Sequence, residues 1–206
     1  ILLGGGPVSN ALIEDIRDLG TAVHQSYGST ETVTHVAIRP LNSAANKKGP
    51  AGISSYADMP FRAIGNCSFE RDLRGCLVVN TPHLSVKQHV TNDIVELIDD
   101  GTFRWLGRWD NVILSGGKKI FPEQLETRTA GVIPYPHYFT STPDDQMGQA
   151  VCLVLEANEP ADIVLPEVMD KLMHVLDPHE LPRRVRALRS FARTDSGKVI
   201  RIGEPV

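Results

Sequence analysis

The side chains best suited to chemistry lie in three short polar stretches that are far apart along the chain. The first holds Thr30 and Glu31, a hydroxyl that can donate to a phosphate oxygen and a carboxylate that can hold a hard cation. The second pairs Asp93, which can accept from two adjacent hydroxyls, with Arg108, a planar fork of donors. The third places Lys198 on a turn, where its charge can stabilise a developing negative charge.

The first 28 residues predict a strand, a loop, a helix and a second strand, which delivers Tyr27 to an exposed end. Ser9 or Asn10 is expected to cap the helix, and Gly20 to stop it. Three residues at helical spacing form the expected apolar face of this helix: Leu12, Ile16 and Leu19.

Glycine-containing stretches follow both of these strands. The first consists of Gly4, Gly5 and Gly6, but a dinucleotide-binding fingerprint fails because Ser9 occupies the place of its third glycine. A plain turn is one interpretation of these glycines. The second stretch, read alone, is also only a polar turn; it consists of Tyr27, Gly28, Ser29, Thr30 and Glu31.

Residues 36–75 predict a β-rich segment, in which residues 42–52 form an exposed, mobile connector. Strands are expected at 61–64, 76–80 and 94–97. A hairpin turn at 99–101 joins the last of these to a strand that contains Phe103, Trp105 and Leu106. The hairpin would return Arg108 towards Asp93, although Asp93 read alone is a strand-entry cap.

The rest of the chain alternates between strand and helix patterns and predicts a smaller α+β domain. Strands are expected at 112–114, 149–156 and 185–188, and helices at 123–129 and 160–176, with a last helix beginning at Lys198. Gly116 and Gly117 form a loop before the first of these helices, and Lys119 lies between this loop and the helix. The expected core residues of the long helix are Leu165, Val168, Met169, Leu172, Met173 and Leu176.

Composition is that of an ordinary globular protein, with 41% hydrophobic and 22% charged residues. A formal net charge of −4 argues against binding to nucleic acid or to an anionic membrane. Cys67, Cys76 and Cys152 lack metal-type spacing, so we expect buried thiols in a reducing cytoplasm. No apolar run is long enough to span a bilayer.

Three motifs, in order along the chain, carry a resemblance to a known family. The string GRWDNVILSGGKKIFPEQLE, which begins at Gly107, is similar to the linker region of the adenylate-forming acyl-CoA synthetases. It departs from the family pattern at Asn111, in place of a second Asp, and at Leu114, in place of a Lys. The YGSTE string resembles the family's YGxTE, and residues 194–201, TDSGKVIR, resemble its terminal TxxGKxxR. Residues 91–93, TND, are similar to its TGD.

The resemblance implies an AMP-forming acid–CoA ligase whose ligands are ATP, Mg²⁺, coenzyme A and a small carboxylic acid. It assigns the glycines 4–6 to the adenine pocket wall and a ribose-binding role to Asp93 and Arg108. Lys198 would act in adenylation. The other nucleotide-binding residues would be Tyr27 and Gly28 at the adenine, Thr30 at phosphate and Glu31 at the metal.

The implied fold is α/β and α+β, with residues 1–109 as the C-terminal part of a large AMP-binding domain. Residues 110–206 would form a small mobile domain, with the hinge at Asp110. A swing about Asp110 would present first Lys198 and then the face with Gly117 and Lys119. A simple turn former is the alternative for Asp110. The family's Ser/Thr/Gly-rich phosphate loop is not found in the chain, so we expect an upstream portion before Ile1.

Among the family, phrases such as VVNTPHL most resemble the ligases that act on 2-succinylbenzoate in menaquinone biosynthesis. Another aryl- or fatty-acyl-CoA ligase, a non-ribosomal peptide adenylation domain and a non-catalytic fragment that binds a nucleotide or a partner are the alternatives. The expected location is cytoplasmic, and a homodimer is a candidate assembly. Five arginines form either a solvated strand face or a surface for the phosphates of coenzyme A: Arg183, Arg184, Arg186, Arg189 and Arg193.

Overall fold

The computed structural model describes residues 1–6, 8–32, 35–46, 56–158, 161–195 and 197–202, and for residues 57 and 161–165 it describes the backbone only. The chain folds as two compact units, Ile1–Asp110 and Asn111–Val206. Each unit has its own sheet. The mixed α/β architecture predicted from the sequence is confirmed.

The first unit is built on an eight-stranded sheet with the order β1-β2-β3-β4-β8-β7-β6-β5. Strands β1 and β2 are parallel, and all other neighbours are antiparallel. Its elements are β1 (Leu2–Leu3), α1 (Asn10–Asp15), β2 (His24–Gly28), β3 (His35–Pro40), β4 (Phe61–Ala63), β5 (Ser68–Arg71), β6 (Cys76–Asn80), β7 (Gln88–Asp99) and β8 (Thr102–Arg108). Short 3-10 turns lie at Tyr56–Asp58 and Trp109–Asn111.

The second unit contains a five-stranded sheet in which β12 pairs with β11, with β13 and, at one residue pair, with β9. Its elements are β9 (Ile113–Ser115), β10 (Lys118–Ile120), α2 (Pro122–Thr129), β11 (His137–Asp144), β12 (Gly148–Glu156), α3 (Ala161–Met173) and β13 (Arg184–Leu188). Strand β12 is buried on both faces, which explains its continuous apolar run. The helix predicted from Lys198 is wrong, because no helix occurs between residues 197 and 202.

Aromatic rings dominate the core beneath the first sheet. Phe103 on β8 is fully buried, with Phe69 packed edge-on at 4.8 Å and Phe61 stacked at 5.4 Å. Burying one such ring stabilises the fold by about 1.5–3 kcal/mol. Phe103 therefore holds β8 in the core of the first unit.

The apolar face predicted for α1 is only partly right, because Ile16 packs against the buried core whereas Leu12 and Leu19 are exposed. Ser9 caps the helix as expected, its hydroxyl accepting from the N–H of Leu12 at 3.2 Å. The helix ends at Asp15, however, and Ile13 is its buried residue, while the side chains of Leu12 and Leu19 are 41% and 43% exposed. A helix of six residues shows less than two turns of periodicity, so its pattern alone did not identify the buried face.

Asn42, which we expected in an exposed connector, is fully buried. Its amide nitrogen donates to the carbonyls of Ile16, Leu19 and Thr21 at 2.9–3.3 Å. Its oxygen accepts from the N–H of Val23 at 3.1 Å. Asn42 therefore satisfies the carbonyls that follow α1 and holds the start of β2. Residues 47–52 of the connector lie outside the described part of the chain.

The predicted core residues of α3 and the three cysteines can be compared with the structure. Met173 is 56% exposed rather than part of the core, whereas Val168 and Leu172 are buried as predicted. The predicted helix start at Pro160 and the side chain of Leu165 lie outside the described residues. The three cysteines are free and buried, as expected.

A partly buried histidine, His137, is expected to make the stability of the second unit depend on pH. The Nδ1 of His137 lies 2.8 Å from the carbonyl of Tyr135, and its Nε2 lies 2.8 Å from the hydroxyl of Thr129. Burial lowers the pKa of His137 below its ordinary value, although the bond to Tyr135 opposes this. A base with a depressed folded-state pKa stabilises the fold above its unfolded pKa, and this contribution is lost as the pH falls through the folded value.

We therefore expect the unfolding free energy to decrease by up to about 1.4 kcal/mol per pH unit below about pH 6.5. Urea unfolding at a series of pH values, followed by circular dichroism, measures this slope. His137→Asn should flatten it. His179→Gln, which changes an exposed histidine of the same unit, should not. An unchanged slope in the His137 variant would show that another group is responsible.

Candidate functional site

The β7–β8 hairpin places Asp93 directly opposite Arg108. Their side chains form an ion pair in which Nη1 lies 3.4 Å from Oδ1. The Asp93 side chain is only 15% exposed, whereas that of Arg108 is 43% exposed. The sequence thus correctly placed the two residues together. Their register depends on the turn between Asp99 and Thr102 and on two later shifts in the pairing of the strands.

Tyr27 reaches the same carboxylate from β2, and its hydroxyl donates to Oδ2 of Asp93 at 2.6 Å. Its ring packs edge-on against Phe103 at 5.3 Å and tilted against Phe61 at 5.8 Å. Burial, together with the charge of Asp93, raises the pKa of the Tyr27 hydroxyl well above its ordinary value. Tyr27 is therefore a neutral donor to Asp93, a contact that the sequence did not predict.

Trp105 is a third donor to Asp93, with Nε1 lying 3.1 Å from Oδ1. Strict alternation along β8 would put Trp105 and Arg108 on opposite faces of the sheet, because they are an odd number of residues apart. The pairing shifts between Ile94 and Val95, so that Val95 faces Trp105 while Ile94 faces Gly107. This bulge brings Trp105 onto the face of Asp93 and Arg108.

The carboxylate of Asp93 thus receives hydrogen bonds from three side chains, two on Oδ1 and one on Oδ2. An ionised carboxylate offers about four acceptor positions, so it can still accept from a bound hydroxyl. The contact with Arg108 is the longest of the three and belongs to the most exposed donor. This group can bind a vicinal diol if Arg108 turns partly aside.

Two further predicted stretches follow β1 and β2 at the same edge of the sheet, because these strands are parallel. Gly5 has a φ of +89°, which only glycine adopts easily, and a Cβ on Gly4 would lie 2.7 Å from the Ser26 hydroxyl. The carbonyl of Gly6 accepts from Gln25 at 2.8 Å. The glycines therefore form a close turn against β2, at the edge where ligands bind in many open α/β sheets.

Thr30 and Glu31 lie in the turn that follows β2, and both are exposed. The turn is stabilised by Thr32, whose hydroxyl accepts from the N–H of Ser29 at 2.9 Å. Hydrogen bonds from its own backbone N–H and from Ser29 lower the pKa of Glu31 below its ordinary value. Glu31 is therefore an ionised oxygen ligand suited to a hard cation.

Asp110, the predicted hinge, is the last residue of the first unit. Its Oδ2 accepts from Nη2 of Arg108 at 3.3 Å and from Nδ2 of Asn92 at 3.2 Å. Arg108 thus bridges Asp93 and Asp110 with its two terminal nitrogens. The structure brings Tyr27, Asp93, Arg108 and Asp110 into one connected group.

The predicted glycine loop in the second unit is a two-residue hairpin turn between β9 and β10. Gly116 and Gly117 both have positive φ values, +54° and +79°, as the tight turns of β-hairpins require. Lys119 follows on β10, with its side chain exposed. Gly117 therefore lies in the turn, and Lys119 on the second strand, of a short β-hairpin.

Lys198 lies in a turn that begins at Thr194. The N–H of Lys198 donates to the Thr194 hydroxyl at 3.1 Å, and its carbonyl accepts from the N–H of Thr194 at 2.8 Å. Gly197 has a φ of +82°, and Ser196 lies outside the described residues. The Lys198 side chain is exposed, and no ion pair to it occurs within the described ranges.

Arg201, three residues further on, is anchored in the second unit. Its guanidinium forms two bonds with Glu126, one of them with Nη2 at 2.7 Å from Oε2, and donates to the carbonyl of Phe139 at 2.8 Å. Glu123 lies 3.7 Å away and accepts from Asn111 at 2.5 Å. Burial raises the pKa of Glu126, against the opposing effect of Arg201. This cluster fixes the backbone just after Lys198.

The arginine-rich stretch is only partly a strand, since β13 includes Arg184 and Arg186 alone of the five. Arg183 pairs with Asp144 at 3.0 Å, and Arg193 pairs with Glu156 at 3.5 Å. Asp144 also accepts from the N–H groups of Gln146 and Met147. At least two of the arginines therefore serve the unit's own carboxylates.

Comparison with known proteins finds 2-succinylbenzoate–CoA ligases among the relatives of this chain. It is 28% identical to the 2-succinylbenzoate–CoA ligase of Enterococcus faecalis over 225 residues, which cover 97% of this chain and 44% of that one. No family model matches. The chain spans less than half the length of the curated relatives it matches.

Solved structures show the same fold. O-succinylbenzoate CoA synthetase from Bacillus subtilis, in complex with its acyl-adenylate intermediate, matches with a TM-score of 0.75 and 23% identity over 97% of this chain and 44% of that one. The same enzyme in complex with ATP and a magnesium ion gives a TM-score of 0.72 and 21% identity, at the same coverage of both chains.

Within the described residues, no helix has the length and apolar character needed to cross a bilayer. Both comparisons agree with the resemblance inferred from the three motifs. In sequence and fold, the chain is similar to the C-terminal part of adenylate-forming acyl-CoA synthetases.

Proposed function

We propose that this chain is the C-terminal part of an AMP-forming acid–CoA ligase, which activates a carboxylate as an acyl-adenylate and transfers it to coenzyme A. The observation that carries this proposal is the Asp93 group. A half-buried carboxylate beside Arg108, held by Tyr27 and Trp105, provides an oriented acceptor for the two hydroxyls of a ribose. The sequence relationship supports the same chemistry.

Residues of this chain would contact the ribose, the adenine and a phosphate of ATP, and its magnesium ion. Asp93 and Arg108 would hold the ribose, while Gly4, Gly5 and Gly6 would line the adenine with their close turn. Thr30 would donate to a phosphate oxygen. Glu31 would supply one carboxylate ligand to Mg²⁺, an ion that neutralises phosphate charge and usually keeps several waters.

Lys198 would act in the adenylation step. Its ammonium would stabilise the negative charge that develops on the α-phosphate oxygens as the substrate carboxylate attacks. The Thr194–Lys198 turn fixes the backbone of Lys198 while leaving the side chain exposed, so the charge is available to a ligand.

Asp110 would be the hinge about which the second unit rotates between the two half-reactions. Rotation there would exchange the surface bearing Lys198 for the hairpin with Gly117 and Lys119, which would then face coenzyme A. A few backbone dihedrals are sufficient for such a change. The position of Asp110 at the end of a compact unit supports this role.

We propose 2-succinylbenzoate as the acid, because relatives along nearly the whole chain carry that specificity in their names. No described residue of this chain contributes a contact that would select this acid. Another aryl acid or a fatty acid is therefore the second candidate.

The test is ATP–pyrophosphate exchange by the gene product that contains this chain, with 2-succinylbenzoate and a panel of aryl and fatty acids. We expect exchange with 2-succinylbenzoate. Asp93→Asn, which keeps the shape but removes the charge that Arg108 and a ribose require, should raise the KM for ATP by about tenfold to a hundredfold. Asp99→Asn, at the far end of the same strand, is the matched control. Absence of exchange with every acid would contradict the proposed activity.

A further inference from the structure

The side chain of Asp110 is held by more than Arg108. Asn92, on β7, directs Nδ2 at both carboxylate oxygens of Asp110, at 3.2 and 3.4 Å. The Asp110 side chain is 55% exposed, so without partners it would sample several rotamers in water. Asn92 thus joins the group of Tyr27, Asp93, Arg108 and Asp110 through its bonds to Asp110.

The orientation of the Asn92 amide is determined by its other neighbour. Nη1 of Arg74 donates to Oδ1 of Asn92 at 3.0 Å. Because Oδ1 is the acceptor for Arg74, Nδ2 is the atom that faces Asp110, and an amide flipped the other way would lose both bonds. Asn92 therefore accepts a hydrogen bond from Arg74 and donates to Asp110, and only one orientation of its amide allows both.

Arg74 is itself fixed to the body of the first unit. Its Nε donates to Asp72 at 2.8 Å, and its Nη2 donates to the carbonyl of Thr91 at 3.2 Å. The guanidinium also lies over the ring of Trp109, 5.8 Å from the ring centroid. Arg74 thus contacts both Asn92 and the residue that immediately precedes Asp110.

We propose that Arg74 and Asn92 form a latch on the first unit that holds Asp110 and sets how readily the backbone turns there. The proposal rests on the hinge role given to Asp110 above. Asn92 is a positioning residue, since it acts only through Asp110. It stands at the place of the glycine in the family's TGD string, and glycine has no amide with which to hold the hinge carboxylate.

The latch is tested on the chain itself by trypsin cleavage of the Arg108–Trp109 bond, which requires local opening of this segment. Asn92→Asp keeps the shape and the acceptor for Arg74 but places a like charge against Asp110. We expect this variant to be cleaved after Arg108 about threefold to tenfold faster than the parent chain. Each rate is divided by that of an unstructured peptide of residues 103–115, which removes any direct effect of sequence on the protease.

Two variants separate the latch from a general loss of stability. Asn80→Asp is the matched control, since Asn80 also donates to a carboxylate, that of Glu70 at 2.9 Å, from a strand of the same sheet. It should leave cleavage after Arg108 unchanged. Combining Asn92→Asp with Asp110→Asn restores an amide–carboxylate pair with the roles exchanged, and should return the rate to within about twofold of the parent.

Cleavage after Arg62, on β4 of the same sheet, serves as the internal reference in every digest, because it requires the first unit itself to open. Equal acceleration at Arg62 and Arg108 would indicate unfolding of the whole first unit and would overturn the latch, as would failure of the exchanged pair to restore the rate. The assay needs no nucleotide and no acid. Its outcome is therefore independent of whether the ligase activity is found.

Discussion

Lys198→Ala is expected to reduce ATP–pyrophosphate exchange by a factor of about a hundred or more, which corresponds to about 3 kcal/mol of lost transition-state stabilisation. In the proposed mechanism, the ammonium would act on charge that develops only as the adenylate forms. Thioester formation from supplied acyl-adenylate and coenzyme A should proceed at a rate within about threefold of the unsubstituted protein, because that step would use the other surface of the second unit. Separate measurement of the two half-reactions gives both rates.

Lys171→Ala is the control for this substitution. It removes another ammonium of the second unit, one that is paired with Glu167 on α3 at 2.6 Å, and should change neither half-reaction. Equal loss of both half-reactions in Lys198→Ala would contradict the assigned role and would indicate that Lys198 supports the fold or both steps alike.

Arg201→Met is expected to have the largest effect on stability, about 2–4 kcal/mol. The substitution leaves Glu126 and the almost completely buried Glu123 without their cation. Urea unfolding followed by circular dichroism measures the loss, and amide exchange in β12 assigns it to the second unit. Arg193→Met removes the more exposed contact with Glu156 and should cost no more than about 1 kcal/mol.

The pH dependence of the Arg201 variant has a definite sign. A carboxyl whose folded-state pKa is raised contributes stability below its unfolded pKa and loses that contribution as the pH rises through the folded value. Removing Arg201 takes away the group that opposes this rise at Glu126. The destabilisation should therefore be greater at pH 7 than at pH 5, and adding Glu126→Gln should reduce the difference. Equal destabilisation at both pH values would locate the effect in packing rather than charge.

The sequence was informative where its pattern was long or its turn chemistry specific. Strand β6 was predicted at its observed residues, and the Asp99–Thr102 turn was correctly identified as the return of a hairpin. The pairing of Asp93 with Arg108 followed from that turn. Lys198 was correctly placed on a turn, although the helix expected after it does not form.

The contacts that the sequence did not predict depend on irregularity or on distant pairing. Trp105 reaches Asp93 because a bulge at Leu106 interrupts the alternation of side chains along β8. The residue types around Leu106 do not indicate a bulge in the sequence. Asn42 is buried where its amide donates to three carbonyls that follow α1, a role visible only once the helix end is known. Tyr27 and Asp93 are 66 residues apart, so their bond depends on the order of strands in the sheet.

The β7–β8 hairpin also has a consequence for how the Asp93 group assembles during folding. Asp93 and Arg108 are 15 residues apart and are joined by a tight turn, so the entropy lost in closing that loop is small. Tyr27 must close a loop more than four times as long to reach the same carboxylate. Contact order therefore predicts two stages, in which the ion pair with Arg108 forms within the local ribbon and Tyr27 joins when the strands between β2 and β7 are in place.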